Sequence, residues 1–146
     1  MQIREVMTQG PEIVNSHATA VEAAAKMREL DIGSLPVCDG EKLQGLLTDR
    51  DITVRLVAAG LDPSRTEVRE IMTPDATYCF DDQTLEEAAA LMEGHQIRRL
   101  PIMNRDKQLI GMLSLGDLAV RTQGTESSAI ADEALADISE PSEPNR

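Results

Sequence analysis

The sequence predicts a mixed α/β (α+β) fold made of two pseudo-symmetric halves. The segment IREVMT at residues 3–8 returns as VREIMT at residues 68–73, an offset of 65 (position 68 against position 3). The same offset relates Pro36 to Pro101, and after one extra residue Asp51 corresponds to Asp117. Each copy also follows the same order of apolar runs and helical patterns, β-α-β-β-α. A period this long that occurs only twice indicates one pseudo-symmetric domain rather than a solenoid.

Each element of this order has its own signal. Thr19 and Thr84 are each followed three residues later by Glu, the capping box that begins a helix. The helix patterns then show an apolar face with the spacing of 3.6 residues, formed by Ala20, Ala23, Ala24, Met27 and Leu30, and by Leu85, Ala88, Ala89, Met92 and His95. Short apolar runs separated by turns predict strands at residues 12–14, 34–38, 43–48, 77–80, 99–103 and 109–114. A second helix is expected at about residues 49–59, ended by Gly60.

These signals divide the chain as follows. Residues 1–60 form the first copy, 61–67 a linker and 68–122 the second copy, and the acidic tail at 123–146 is expected to be disordered. The 146 residues amount to one domain, and 41% of them are apolar. The core must be aliphatic, because the chain has no Trp, one Tyr and one Phe.

Charge and hydropathy exclude several functions. The net charge of −12 argues against non-specific nucleic-acid binding and against docking on anionic membranes. No apolar run approaches the roughly 18 residues of a membrane span, and the first residues do not resemble a signal peptide. A cytoplasmic protein is therefore expected.

The two cysteines, Cys38 and Cys79, fall at strand positions that are apolar in the opposite copy. Reduced, buried thiols are the expected state, since a disulfide is disfavoured in the cytosol. A zinc site formed with His17 and His95 is an alternative, although the usual paired cysteine spacing is absent.

The candidate site lies where a strand meets a helix in each copy. Thr48 and Ser114 each end a strand, and Asp51 and Asp117 follow three residues later. The free N–H groups and dipole of a helix N-terminus favour a phosphate, and the hydroxyl can donate one more hydrogen bond. The carboxylate one turn further on suits the two hydroxyls of a ribose. The alternative is that each T/S-x-x-D segment is only a capping box.

The first strand of each hairpin completes the candidate site. The chain before Pro36 and Pro101 is held extended, so that its backbone can face a flat adenine between aliphatic side chains. Arginines differ between the copies and either provide a cation for a phosphate or face solvent. The additional candidate residues are Ser34, Leu35, Pro36 and Arg50 in the first copy, and Arg98, Arg99, Leu100 and Pro101 in the second.

These paired segments, DIGSLPV with LQGLLTDRDI and HQIRRLPI with LIGMLSLGDL, resemble the CBS domain, named for cystathionine β-synthase. The two copies over residues 1–122 resemble a Bateman module, and the chain looks most like stand-alone CBS-pair proteins of the bacterial hypoxia-response type. The resemblance implies halves packed sheet to sheet, a dimer of modules, and binding of adenosine-containing ligands. Thr48, Asp51, Ser114 and Asp117 match the family's phosphate and ribose positions, and no catalysis is implied.

The leading hypothesis is a non-enzymatic regulatory module that binds AMP, ADP, ATP, NAD or S-adenosylmethionine in clefts between the two halves. It would form a homodimer, modulate an unidentified partner protein and need no resident cofactor. One alternative is an assembly protein with unliganded clefts, and another is a metal or redox sensor. An enzyme is the least expected, because no P-loop, HExxH motif or glycine-rich dinucleotide turn is present.

Overall fold

The computed structural model describes residues 1–121, with the backbone alone at Val120 and Arg121. The acidic tail predicted from residue 123 lies outside the described residues. In chain order the elements are a 3-10 helix (Ile3–Glu5), β1 (Thr8–Gln9), α1 (Ala20–Leu30), β2 (Ser34–Asp39), β3 (Lys42–Thr48), α2 (Asp49–Asp51), a π-helix (Ile52–Val57), α3 (Val68–Ile71), β4 (Thr73–Pro74), β5 (Cys79–Phe80), α4 (Leu85–His95), β6 (Arg99–Met103), β7 (Leu109–Ser114) and α5 (Leu115–Arg121). This mixture of helices and strands confirms the predicted fold class. None of the helices described combines the length and the apolar character needed to cross a membrane.

The chain forms two compact units that do not coincide with the two sequence copies. The continuous unit comprises Pro11–Ala76, and the discontinuous unit joins Met1–Gly10 to the described part of the chain that follows Ala76. Each unit therefore takes its lead-in segment from the opposite copy: α3 and β4 belong with the first copy's hairpin, and the 3-10 helix and β1 belong with the second's. The predicted division into residues 1–60, 61–67 and 68–122 follows the sequence repeat and not the contacts within the two units. It stays a prediction.

The sheet of the continuous unit has the order β2-β3-β4, with antiparallel neighbours. β2 and β3 each extend one residue beyond the prediction, towards the turn that joins them. Of the strand predicted at 12–14, only Val14 pairs, in a parallel bridge to Val37.

The sheet of the discontinuous unit has the order β1-β7-β6-β5. β6 and β7 have the predicted bounds, whereas β5 is two residues shorter than expected. Cys79 of β5 pairs in parallel with Ile102, at the positions that correspond to Val14 and Val37. The two sheets thus repeat the same register, although only one of them has a regular strand at this edge.

The predicted capping threonines begin both long helices. The Thr19 hydroxyl accepts a hydrogen bond from the Glu22 N–H at 3.2 Å, and the Glu22 carboxylate accepts one from the Thr19 N–H at 3.2 Å. Thr84 likewise accepts from the Glu87 N–H at 3.2 Å, but the Glu87 carboxylate accepts from the Gln83 side chain at 2.6 Å. Both helices therefore start where the sequence predicts, and within the described residues α1 has the reciprocal carboxylate bond while α4 has the threonine cap.

The predicted helix faces are buried only in part. In α4 the four positions Leu85, Ala88, Ala89 and Met92 are all buried, whereas in α1 only Ala20, Ala23 and Met27 are. Ala24, Leu30 and His95, which the sequence places on these faces, are exposed. Leu30 and His95 are the last residues of their helices, before a left-handed residue turns the chain away.

The helix predicted at residues 49–59 begins at Asp49 but is not a uniform α-helix. After α2 the chain widens into the π-helix, which ends at Val57, two residues before the predicted end. A turn follows to Gly60, whose φ of +70° is the left-handed conformation expected for a glycine after a helix. The corresponding helix of the second copy, α5, is a regular α-helix over its described length.

Candidate functional site

Both T/S-x-x-D segments are capping boxes. The Thr48 hydroxyl accepts from the Asp51 N–H at 3.1 Å, and the Thr48 N–H donates to the Asp51 carboxylate at 3.0 Å. Ser114 and Asp117 make the same two bonds, at 2.9 Å and 3.1 Å. The capping interpretation is therefore confirmed in both copies. A role of these four side chains in holding a phosphate and a ribose stays a prediction.

In each unit the sheet brings the strand before the proline against the capping residue. Ser34 at the start of β2 pairs with Thr48 at the end of β3, and Arg99 at the start of β6 pairs with Ser114 at the end of β7. The candidate residues of each copy therefore converge at one end of one hairpin.

Backbone hydrogen bonds connect the start of each helix to the residue before the first strand of its hairpin. The Asp49 N–H donates to the Gly33 carbonyl at 2.9 Å, and the Leu115 N–H donates to the Arg98 carbonyl at 2.8 Å. The residue before each strand is thus tied to the first residue of the helix, at matched positions in both copies. The geometry that the repeat predicts is present twice.

The candidate aliphatic residues are buried in the cores. Leu35 belongs to the core of the continuous unit and Leu100 to that of the discontinuous unit, both with no exposed surface. Pro36 and Pro101, which were expected to hold the preceding chain extended, are buried as well. Since the surface of a residue includes its backbone and its side chain, neither part of Leu35 or Leu100 is exposed, and contact of these strands with an adenine stays a prediction.

Ser34 carries a buried hydroxyl with no hydrogen-bond partner among the described residues. Leaving a buried hydroxyl unpaired costs about 1–3 kcal/mol, so such atoms are uncommon in native structures. Because Ser34 pairs with Thr48, this unused group lies beside the capping box of the first copy.

Two residues that the sequence analysis missed surround Asp51. The Thr73 hydroxyl lies 3.4 Å and 3.5 Å from the two carboxylate oxygens, and the Arg55 Nε lies 3.9 Å from Oδ1. The Arg55 Nη1 also donates to the Met72 carbonyl at 2.7 Å. A signal for both was available, since Arg55 and Thr73 each have a counterpart of the same type in the other copy.

The three candidate arginines, Arg50, Arg98 and Arg99, are exposed. No ion pair of these side chains is found in the part of the chain that the structure describes. This placement is compatible with either interpretation from the sequence, a cation for a phosphate or a solvent-facing charge.

Within the described residues the two cysteines are buried and the two histidines are exposed. Burial, together with Asp39, raises the pKa of the Cys38 thiol to about 11, and burial with Glu87 raises that of Cys79 to about 11. Both are free thiols, as expected. His17 lies 3.4 Å from the Glu67 carboxylate. Residues 1–121 contain no group of three or more His, Cys, Asp or Glu side chains suited to a metal ion.

Comparison with known families and proteins identifies relatives over most of the chain. The model of the family described as CBS domain matches twice, at residues 3–58 and 68–122. CBS domain-containing protein YhcV of Bacillus subtilis is 40% identical over 137 residues, which cover 94% of each chain. Hypoxic response protein 1 of Mycobacterium tuberculosis is 39% identical over 117 residues, covering 80% of this chain and 81% of that one.

Solved structures show the same fold. The crystal structure of Hypoxic Response Protein I with two coordinated zinc ions superposes with a TM-score of 0.76 at 38% identity, covering 82% of this chain and 98% of that one. The crystal structure of CBSX2 in complex with AMP superposes with a TM-score of 0.71 at 28% identity, covering 82% and 93%.

Proposed function

Because the chain belongs to the CBS domain family, we propose that it is a regulatory module without catalytic activity that binds an adenosine-containing ligand. The candidate ligands are AMP, ADP, ATP, NAD and S-adenosylmethionine. Binding would favour one arrangement of the module by its higher affinity for that arrangement, and so alter a partner protein.

The observation that carries this proposal is the duplicated geometry at the end of each hairpin. In both units an extended strand before a buried proline is tied to a helix start that bears a hydroxyl and a carboxylate. Helix capping accounts for the four residues of the two boxes. It does not account for the unpaired Ser34 hydroxyl, which a ligand could satisfy. The AMP complex of CBSX2, a relative of the same fold, supports the adenosine class.

Each candidate side chain would contact a different part of the ligand. The carboxylates of Asp51 and Asp117 are acceptors for ribose hydroxyls, and the Ser34 hydroxyl is a further partner in the first copy. An exposed guanidinium can pair with a phosphate through two parallel hydrogen bonds, a role open to Arg98 and Arg99.

Thermal denaturation with a panel of the five ligands tests the proposal. A ligand at 100 times its dissociation constant adds about 2.7 kcal/mol of stability, because it binds the folded state alone. For a chain of this size we expect the melting temperature to rise by several degrees. The Asp51→Asn and Asp117→Asn double variant should lose most of the rise, and its melting temperature without ligand is the control for the capping role. Flat melting temperatures across the panel at millimolar concentration would contradict the proposal.

We also propose that the chain forms a homodimer, as symmetric assembly of identical chains is common among soluble proteins. Sedimentation equilibrium at micromolar concentration should give twice the chain mass of 15.9 kDa. A chain that remains monomeric in that range would refute the dimer and leave the ligand proposal standing.

A further inference from the structure

The two copies differ in charge at the residue that follows the capping hydroxyl. This residue is Asp49 in the first copy and Leu115 in the second. Asp49 is exposed, and its Oδ1 accepts from the Arg50 N–H at 2.8 Å. Its Oδ2 lies 3.0 Å from the place that a Cβ would take at Gly33, so the carboxylate fills the space beside the start of β2. Leu115 is instead buried in the core of its unit and offers no acceptor.

The strand paired with this segment also differs in charge between the copies: it is more positive in the second copy. Gly33 and Ser34 of the first copy correspond to Arg98 and Arg99 of the second. The matched segments, 33–36 with 48–51 and 98–101 with 114–117, therefore hold two acids and one base in the first copy, against one acid and two bases in the second. The acid-rich and base-rich groups occupy the same position relative to their hairpins.

Asp49 also uses a backbone group that an anion would need. In the first copy the N–H groups of the first three helix residues donate to the Gly33 carbonyl, the Asp49 carboxylate and the Thr48 hydroxyl, at 2.9, 2.8 and 3.1 Å. A phosphate placed there would find these donors engaged and a carboxylate beside it. The carboxylate and a phosphate beside it would repel each other, and because Asp49 is exposed this repulsion is screened by salt.

We infer that Asp49 is a specificity-determining residue that disfavours phosphate at the first copy's site. Phosphorylated adenosine ligands then bind at the second copy, beside Arg98 and Arg99, while the first copy takes an adenosine ligand without a phosphate. This inference rests on the proposed function, since it assigns ligand classes to the sites proposed there.

Calorimetric titration with AMP and with adenosine, at low and at high salt, tests the inference. The key variant is Asp49→Asn, which removes the charge but keeps an oxygen acceptor for the Arg50 N–H. We expect wild-type protein to bind one AMP per chain, lost in Asp117→Ala and retained in Asp51→Ala. In Asp49→Asn a second AMP site should appear, or the weaker one should tighten at least about tenfold, with adenosine affinity unchanged.

Two further readouts separate charge from structure. The gain in Asp49→Asn should shrink at 0.5 M salt, roughly the range in which exposed charges are well screened. The double variant Arg98→Gln and Arg99→Gln should weaken AMP binding and leave the affinity for adenosine unchanged. Melting temperatures without ligand confirm that each variant is folded.

The outcomes distinguish this inference from the function on which it rests. Unchanged AMP stoichiometry and affinity in Asp49→Asn, or two equal AMP sites in the wild type, would overturn the inference and leave the adenosine-binding function intact. A wild-type protein that binds neither adenosine nor any of the five ligands of the thermal panel would overturn the proposed function itself.

Discussion

At the scale of single residues, two glycines permit the lead-in strands to approach the hairpins. A Cβ at Gly111 would lie 2.7 Å from the Met7 Sδ and 2.9 Å from the Thr8 carbonyl oxygen. A Cβ at Gly45 would collide with the Thr73 carbonyl oxygen. The repeat relates these two glycines, and the structure shows why both positions lack a side chain: each faces the short strand contributed by the opposite copy.

We therefore expect Gly45→Ala and Gly111→Ala to destabilise the fold by about 1–3 kcal/mol each, the usual range for overpacking a close contact. Gly94 in α4 is the matched control, because a Cβ there would meet nothing within 4 Å. Gly94→Ala should stabilise by roughly 0.5–1 kcal/mol through helix propensity. Urea denaturation measures all three, and a Gly45→Ala protein as stable as Gly94→Ala would refute the steric explanation.

The candidate site was predictable from the sequence where its residues are close along the chain. The spacing of Thr48 and Asp51 within one helical turn predicts their hydrogen bonds, which the structure contains. Thr73 lies 22 residues from Asp51, and its contact depends on how β4 joins the sheet. Gly33 lies 16 positions before Asp49 along the chain (position 33 against position 49), and its proximity to the Asp49 carboxylate depends on the pairing of β2 with β3.

At the scale of elements, the hairpins were predictable and the lead-in segments were not. Alternating apolar residues and turn residues define β6 and β7 to the residue, because register and burial act within one hairpin. The motif REVMT or REIMT, in contrast, is nearly the same in both copies, so it cannot indicate which hairpin it joins. The exchange of lead-in segments is decided by tertiary contacts that a local pattern does not encode.

The sequence pattern also did not predict the π-helix. Arg55, which lies on it, contacts both α3 and α2. Its Nη1 donates to the Met72 carbonyl at 2.7 Å and lies 3.5 Å from the Ile71 carbonyl, at the end of α3. Its Nε lies 3.9 Å from Asp51. The guanidinium therefore caps α3 while it approaches the candidate ribose acceptor.

We expect Arg55→Met to destabilise the protein by about 1 kcal/mol, since a charge-assisted hydrogen bond is lost from a half-exposed side chain. Amide hydrogen exchange should increase in α3, where the carbonyl cap is removed. Arg65→Met is the control, because the Arg65 side chain is 88% exposed and its ion pair with Asp62 spans 3.8 Å. Such exposed pairs contribute about 0–1 kcal/mol. Equal exchange of α3 in both variants would show that Arg55 does not cap it.

At the scale of the whole molecule, each compact unit has a core assembled from both sequence copies. The core of the continuous unit includes Val68 and Ile71 from the second copy's lead-in, both fully buried. The core of the discontinuous unit includes Ile3, Val6 and Met7 from the first copy's lead-in. Neither copy alone therefore contains a complete core. We expect the compact unit, and not the sequence copy, to be the part of the chain that folds on its own.

Two fragments of similar length test this difference. The fragment 11–76 retains the sheet β2-β3-β4 with Val68 and Ile71, whereas the fragment 1–60 lacks both residues and carries the 3-10 helix and β1 without their partner sheet. Truncation of a single buried aliphatic side chain costs about 2–5 kcal/mol for Leu, Ile or Met, against a total stability of about 5–15 kcal/mol for a whole domain. We therefore expect fragment 11–76 to unfold cooperatively in urea, followed by circular dichroism, and fragment 1–60 to show a broad transition or none. A sharper transition for fragment 1–60 would indicate that the sequence copy, and not the exchanged unit, is the element that folds.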